Sequence, residues 1–232
     1  MKFKIITNPQ KEWAKKLQTE VESLLRSRKQ QLVSFGEDVT LMIGGDGTIF
    51  YAKDQAQGAI FAIGGTQSKV CQASNKNWKP ALEKILKIRK LEVEERTALS
   101  VKINGNEAGW AINDAVVHSR RHNFVFISVK FGRDEHRFGG DGIIVATPTG
   151  ASGYAYSAGG FVLDRANFMV ELVPICPYLR AFRPQIVPVA SEITITGEGA
   201  SDLILDGQKI IELGEKDVVT VIGDRTVDFV DV

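Results

Sequence analysis

Near residue 95 the spacing of apolar residues in this 232-residue chain changes from helical to alternating, and no other feature of the sequence restricts the fold as much. Before that point, residues 2–7 alternate like a strand that Pro9 ends, and Trp13, Leu17, Val21, Leu24 and Leu25 then recur at the spacing of an amphipathic helix. Residues 39–43 and 59–63 read as short buried strands and residues 31–35 as a further one. Residues 48–57 read as a helix, and Trp78, Leu82, Ile85 and Leu86 mark another with Pro80 in its first turn. From Ala98 the period is two: Leu99, Val101 and Ile103 precede a turn at Asn104-Gly105-Asn106, and strands are predicted over 110–118 and 124–130. Further strands are predicted over 185–189, 193–196, 203–205, 209–213, 218–222 and 227–230. The pattern predicts an α/β N-terminal domain with a short parallel sheet over 1–94. An all-β C-terminal domain follows over 95–232, and its last strand can pack back on the first domain.

The strand predicted over 39–43 runs into Gly44-Gly45-Asp46-Gly47-Thr48, ahead of the predicted helix. Gly44, Gly45 and Gly47 lack a Cβ, so the backbone there can take positive φ and aim several N–H groups at one anion, and a helix N-terminus behind them adds partial positive charge. With Thr48 they form a candidate phosphate cradle, and Asp46 is the carboxylate in it. Asp and Gly also fill ordinary tight turns, so the turn alone leaves both readings open. The chain has no Gly-x-x-x-x-Gly-Lys-Ser/Thr and no Gly-x-Gly-x-x-Gly after its first strand, so spacing alone indicates a nucleotide without specifying a dinucleotide. The run 59–63 ends in Gly64-Gly65-Thr66, a second strand-to-loop break on the edge where parallel sheets collect ligands.

Two later stretches add the polar groups that a phosphorylated ligand needs. In Gly139-Gly-Asp-Gly-Ile-Ile-Val-Ala-Thr-Pro-Thr-Gly-Ala-Ser-Gly-Tyr-Ala-Tyr-Ser-Ala-Gly-Gly160, hydroxyls come from Thr147, Thr149, Ser152 and Tyr154, while Gly150 and Gly153 allow close approach to the backbone. The Tyr154 ring can stack on a base. A bulged strand would explain some of these glycines but not the density of hydroxyls. In Ile112-Asn-Asp-Ala-Val-Val117, Asn113 offers an amide and Asp114 a carboxylate, a pair that also suits a strand-end turn.

With these motifs, Glu95-Arg96, Pro174-Ile-Cys-Pro177, Arg183-Pro184 and Asp206-Gly207-Gln208, the chain resembles the NAD kinase family over most of its length. The resemblance implies transfer of the terminal phosphoryl group of ATP, or of polyphosphate, to the 2′-hydroxyl of the adenosine ribose of NAD, with NAD lying between the two domains. It makes Asp46 the catalytic residue, and Gly44, Gly45, Gly47 and Thr48 the phosphate-binding ones. Asn113, Asp114, Asp141, Thr149, Ser152, Gly153, Tyr154 and Ser157 would bind NAD. Mg²⁺ or another divalent cation would be held mainly by substrate phosphates near Asp46. A carboxylate with an ordinary pKa of about 3.9 is a weak base, so Asp46 would orient the hydroxyl and accept its proton late. The sequence departs from the family at Ala151, where a hydroxyl is usual, and at Gly64-Gly65-Thr66-Gln67-Ser68-Lys69, where the family has an Asn within a Gly-x-Leu-Gly-Phe loop. A lipid kinase sharing the glycine turn and a catalytically silent dinucleotide-binding protein are the alternatives.

Composition narrows the partners. Lys plus Arg number 29 against 28 Asp plus Glu, which gives no field for a nucleic-acid backbone. Cys71 and Cys176 form no Cys-x-x-Cys pair, which points to a reducing, cytoplasmic setting, and the longest uncharged stretch holds too many glycines and hydroxyls to span a membrane. His118 and His122 are spaced for a shared metal but have no further Cys or His nearby, so ordinary histidines are the favoured reading. The many strands after residue 98 leave sheet edges to cover, and with the resemblance they predict a homodimer or homotetramer.

Overall fold

The computed structural model describes residues 1–232, except for the side chain of His122. It divides into one unit of Met1–Glu95 with Val227–Val232 and a second of Arg96–Thr226. In chain order the first unit holds β1 (Lys2–Thr7), α1 (Glu12–Ser27), β2 (Gln31–Leu32), β3 (Val39–Ile43), α2 (Asp46–Ala52), β4 (Ala59–Gly64), β5 (Ala73–Ser74) and α3 (Trp78–Lys87). The chain continues through β6 (Val93–Ile103), β7 (Asn106–Ala111), β8 (Asp114–Ser119), β9 (Val125–Phe131), β10 (Asp134–Gly140), β11 (Gly142–Ala146), α4 (Tyr154–Ser157) and β12 (Met169–Ile175). It ends with β13 (Gln185–Pro188), β14 (Ile193–Glu198), β15 (Ser201–Leu205), β16 (Lys209–Leu213) and β17 (Val218–Val230).

In the first unit β1 to β5 pair in parallel, in the order β2-β1-β3-β4 with β5 beside β4, and the end of β17 pairs in parallel with β4 at Phe229 and Ile60. β3 and β4 are buried along their whole length, which explains their unbroken apolar runs. Ala14, Leu17, Val21 and Leu25 of α1, one residue per turn, share a core with Trp78, Leu82 and Ile85 of α3 and with Phe3, Leu41, Ile43 and Phe61 of the sheet. The helix expected over 48–57 starts earlier, at Asp46, and breaks after Ala52 into a 3₁₀ turn over Lys53–Gln55. The strand expected over 31–35 shrinks to β2, because Val33 makes one further bond to Phe3 and the chain then turns away at Gly36, where φ is +72°.

The second unit contains two antiparallel sheets over one core. One is six-stranded, β13-β12-β11-β8-β15-β16; the other includes β10-β9-β14-β17 and the β6-β7 hairpin. Leu99, Val125, Ile127, Ile195 and Val219 meet Val117, Ile143, Val145, Leu172 and Leu203 in that core. The Asn104-Gly105 turn has positive φ at both residues, the geometry that joins strands with right-handed twist. Residues 110–118 are not one strand: pairing stops at Ala111 and resumes at Asp114. The runs over 218–222 and 227–230 are one strand, which passes Gly223 where a Cβ would come within 2.3 Å of Val189 Cγ2. β11 and β12, absent from the periodicity reading, are central strands buried on both faces and so show no alternation. Among the described residues no helix is long and apolar enough to cross a membrane.

Phe229 is fully buried. Replacing it with Ala leaves a void in the first unit's sheet, and denaturant titration should show a loss of about 3–5 kcal/mol, with little change if this end of β17 contributes nothing to the core.

Candidate active site

The first unit brings the glycine turn together with the loops that follow β1 and β4. Gly44 donates its N–H to Ile63 O, and a Cβ there would sit 2.2 Å from Thr48 Oγ1 and 2.5 Å from Asn8 Cβ. Packing therefore demands glycine at 44, and that N–H serves the protein itself, unlike in the cradle expected from the sequence. Gly45 has φ +98°, while Gly47 faces open space. Lys11 Nζ donates to Gly44 O, which places an ammonium on this turn. No motif marks Lys11, which lies far from the turn along the chain and reaches it because β1 and β3 are neighbours.

Asp46 is engaged by backbone. Its Oδ2 accepts the N–H of Lys69 at 2.8 Å, and its Oδ1 accepts those of Val70 and Cys71 at 3.1 and 3.2 Å. The Cys71 thiol also bonds Asp46, and burial first, with the Asp46 charge next, pushes that thiol far above its ordinary range. The loop after β4, where the sequence departs from the family pattern, is thus folded onto the carboxylate read as catalytic.

In the second unit the break between β7 and β8 is held from both sides. Asp206 Oδ1 accepts the N–H of Asn113 at 2.6 Å and that of Asp114 at 3.3 Å, and Oδ2 accepts that of Ile112 at 3.0 Å. On the other side Thr147 Oγ1 donates to Ile112 O at 2.6 Å, and Thr147 N–H donates to Asn113 O at 2.9 Å. Gly150 lies so close that a Cβ would be 2.2 Å from Asn113 O. With its backbone fixed, Asn113 keeps a buried side-chain Oδ1 without a partner. Beside it is a cavity of about 440 Å³ lined by Asn113, Asp114, Val116, Tyr154, Ile204, Asp206, Gly207 and Ile210. Val116 and Ile204 are apolar, Tyr154 supplies a half-exposed ring, and the amide and carboxylates supply polar contacts. Asp206 occupies a left-handed turn position at φ +52°, and its Asp-Gly spelling before Lys209–Leu213 is the signal from which its anchoring role could have been read.

Of the residues expected to bind NAD, Asn113, Asp114 and Tyr154 line this cavity. Asp141 instead accepts a hydrogen bond from the exposed Cys176 thiol, and this bond, with the Asp141 charge, raises the thiol's pKa. Burial raises the Tyr154 phenol, with further upward contributions from Cys176, Asp114 and Asp141, so the ring stays protonated close to those groups. Thr149 is buried at the start of the 3₁₀ turn Gly150–Ser152, whereas Ser152 and Gly153 are exposed. The Ser157 hydroxyl is spent locally on Gly153 O at 3.2 Å. His118 Nδ1 lies 2.8 Å from Ser119 O, the side chain of His122 lies outside the described residues, and among the described residues no three His, Cys, Asp or Glu side chains gather as a metal site.

The family described as the ATP-NAD kinase C-terminal domain matches residues 80–232. The chain belongs to the NAD kinase family. It is similar to the NAD kinase of Methanocorpusculum labreanum, 31% identical over 186 residues covering 78% of this chain and 69% of that one. It is also similar to the NAD kinase of Thermoplasma volcanium, 32% identical over 222 residues covering 90% of this chain and 79% of that one. Among solved structures, the NAD kinase from Archaeoglobus fulgidus in complex with ATP aligns with a TM-score of 0.81 at 23% identity, over 100% of this chain and 94% of that one. Yeast NADH kinase complexed with NADH aligns at 0.84 and 20% identity, over 100% of this chain and 80% of that one. At those identities the two structures establish the NAD kinase fold.

Asp206→Asn preserves the left-handed turn but replaces one acceptor oxygen with a donor facing backbone N–H groups. Chemical denaturation should show a loss of about 1.5–3 kcal/mol, the range for bonds to a charged group, and an unchanged midpoint would remove Asp206 as the anchor of this break.

Proposed function

We propose that this NAD kinase transfers the terminal phosphoryl group of ATP to the 2′-hydroxyl of the adenosine ribose of NAD, giving NADP. The observation that carries the reading is the unpartnered, buried Asn113 Oδ1 beside Asp114 and Tyr154 in a cavity of about 440 Å³, sized for part of a nucleotide. Asn113 and Asp114 would hydrogen-bond the nucleoside and Tyr154 would stack on a ring, with Asp141, Thr149, Ser152, Gly153 and Ser157 contributing around α4. The turn from Gly44 to Thr48, with Lys11, would meet phosphate.

Phosphoryl transfer asks the protein chiefly for position and charge, because the transferred group passes through a loose transition state. Asp46 would orient the 2′-hydroxyl and accept its proton as the bond to phosphorus forms. Its oxygens already hold the loop after β4, so that loop and the catalytic geometry would be set together. A divalent cation such as Mg²⁺ would supply charge neutralisation on the phosphates. Substrate oxygens and water would carry the cation, with Asp46 as the protein carboxylate beside it. Both cysteines are free, as in a cytoplasmic enzyme. Polyphosphate would serve as donor only if it fits the same turn.

Asp46→Asn should lower NADP formation from NAD, ATP and Mg²⁺ by about two to four orders of magnitude, the range for a positioned acid–base group. Because the amide cannot accept at both positions, the variant should also melt earlier than wild type. A variant that makes NADP at the wild-type rate would take Asp46 out of the chemistry.

We further propose that the chain assembles as a homodimer, or as a tetramer of dimers, through the β unit. In that unit Phe168 and Leu179 are 79% and 81% exposed, and β13 ends the six-stranded sheet with Ile186 exposed. Sedimentation at micromolar concentration should give at least twice the 25.5 kDa chain mass, and a species of that single mass would refute the assembly.

A further inference from the structure

Glu171 is fully buried in β12 and takes no part in the chemistry above. Its cross-strand partners are Ala146 of β11 and Ile186 of β13, and Ala146 is in turn opposite Asp114 of β8, so Glu171 and the cavity residue Asp114 share one face of the six-stranded sheet. Oε2 accepts the N–H of Phe161 at 2.8 Å, while Oε1 is buried without a partner. Above it the chain is tightly folded. Gly160 N–H donates to Ala155 O at 2.9 Å, and a Cβ on Gly160 would lie 2.7 Å from Glu171 Oε2, 2.8 Å from Val173 Cγ2 and 2.9 Å from Ala155 O. The segment that begins with Tyr154 is therefore tied down at its far end by one carboxyl group.

We propose that Glu171 is a positioning residue for NAD: its buried carboxyl group clamps Phe161 and so fixes the 154–161 segment that presents the Tyr154 ring to the cavity. The proposal rests on the cavity being the NAD site. The clamp works with the neutral acid, because an ionised carboxylate with one N–H donor and one bare oxygen loses more hydration than that bond returns. Burial raises the pKa of Glu171, opposed only by the Phe161 N–H. Its strand partners Ala146 and Ile186, and Gly160 and Phe161 beside its carboxyl group, do not ionise. The titratable groups of the same row and segment are Asp114, one strand beyond Ala146, and the phenols of Tyr154 and Tyr156, with Asp164 and Arg165 exposed in the following loop.

The sign follows from a folded pKa above the unfolded one. The native state keeps a proton that the unfolded chain has lost, so the clamp's contribution is complete below the ordinary glutamate pKa and declines as pH rises toward the raised native value. Glu171→Gln keeps the acceptor without a titrating group, whereas Glu171→Leu keeps the bulk without an acceptor. Glu171→Leu should raise KM for NAD by about five- to fifty-fold with little change in kcat, as expected when a stacking ring is misplaced and the reacting groups are not. Glu171→Gln should restore KM. Hydrogen exchange of residues 154–161, corrected for intrinsic rate, should lose protection with rising pH in wild type but not in Glu171→Gln. A folded Glu171→Leu with wild-type KM, or a Gln variant no better than Leu, would overturn the proposal. If Leu does not fold, equal pH slopes of protection in wild type and Glu171→Gln overturn it. A wild-type protein that makes no NADP would defeat the kinase reading, and the exchange comparison would still decide the clamp.

Discussion

Where the chain leaves β7 for β8 it passes from one sheet of the β unit to the other, and the backbone of Ile112 and Asn113 loses its ladder partners. Buried peptide groups cannot stay unpaired, and this crossing is satisfied by two residues, the Asp206 carboxylate on the N–H side and the Thr147 hydroxyl and backbone N–H on the carbonyl side. Much else depends on that solution. Asp206 comes from the turn between β15 and β16 and Thr147 from the end of β11, so three separate segments are pinned around Asn113. Its side chain can then afford an unpartnered oxygen, because rigidity elsewhere holds it in place for a ligand.

The glycine turn of the first unit follows the same logic, again with a carboxylate accepting from backbone N–H groups. There the carboxylate of Asp46 gathers three backbone N–H groups from the loop after β4, a loop with few side chains large enough to order it by packing. A carboxylate with that many donors is fixed in direction, which would suit the role proposed for Asp46 of orienting a hydroxyl more than pulling a proton from it. The unusual sequence after Ile63 reads differently in this light. Ser68 lies close over Gly64, and Lys69, Val70 and Cys71 contribute backbone, so this loop reaches Asp46 through its N–H groups.

Elements were legible in the sequence where one face is wet, and also at β3 and β4, which are buried on both faces but stand out as apolar runs ended by glycines. Helices α1 and α3, the β6–β7 turn and β9 all show clean periodicity because polar residues mark their outer faces. β11 and β12 escaped because burial on both faces removes alternation, and β10 because Asp134-Glu-His-Arg137 is exposed on every side chain. The candidate site residues divided along a similar line. Asp46, Asn113, Asp114 and Tyr154 stand in motifs of small and polar residues that ordinary packing does not require. Lys11 and Asp206 bond partners distant in sequence, Glu171 bonds Phe161 on the segment before its strand, and alone each looks like a loop or strand residue.

By itself the sequence determined the change of periodicity between the two halves and the motifs that mark the NAD kinase family, because periodicity and local motifs are properties of neighbouring residues. The tertiary structure decided what each group bonds. It put the Asp46 carboxylate on the loop after β4 and made Gly44 a packing glycine. It used Asp206 to secure the sheet crossing and placed a buried acid, Glu171, beneath the Tyr154 segment. Those outcomes depend on which strands become neighbours, and strand pairing joins residues tens of positions apart through backbone groups that every sequence shares.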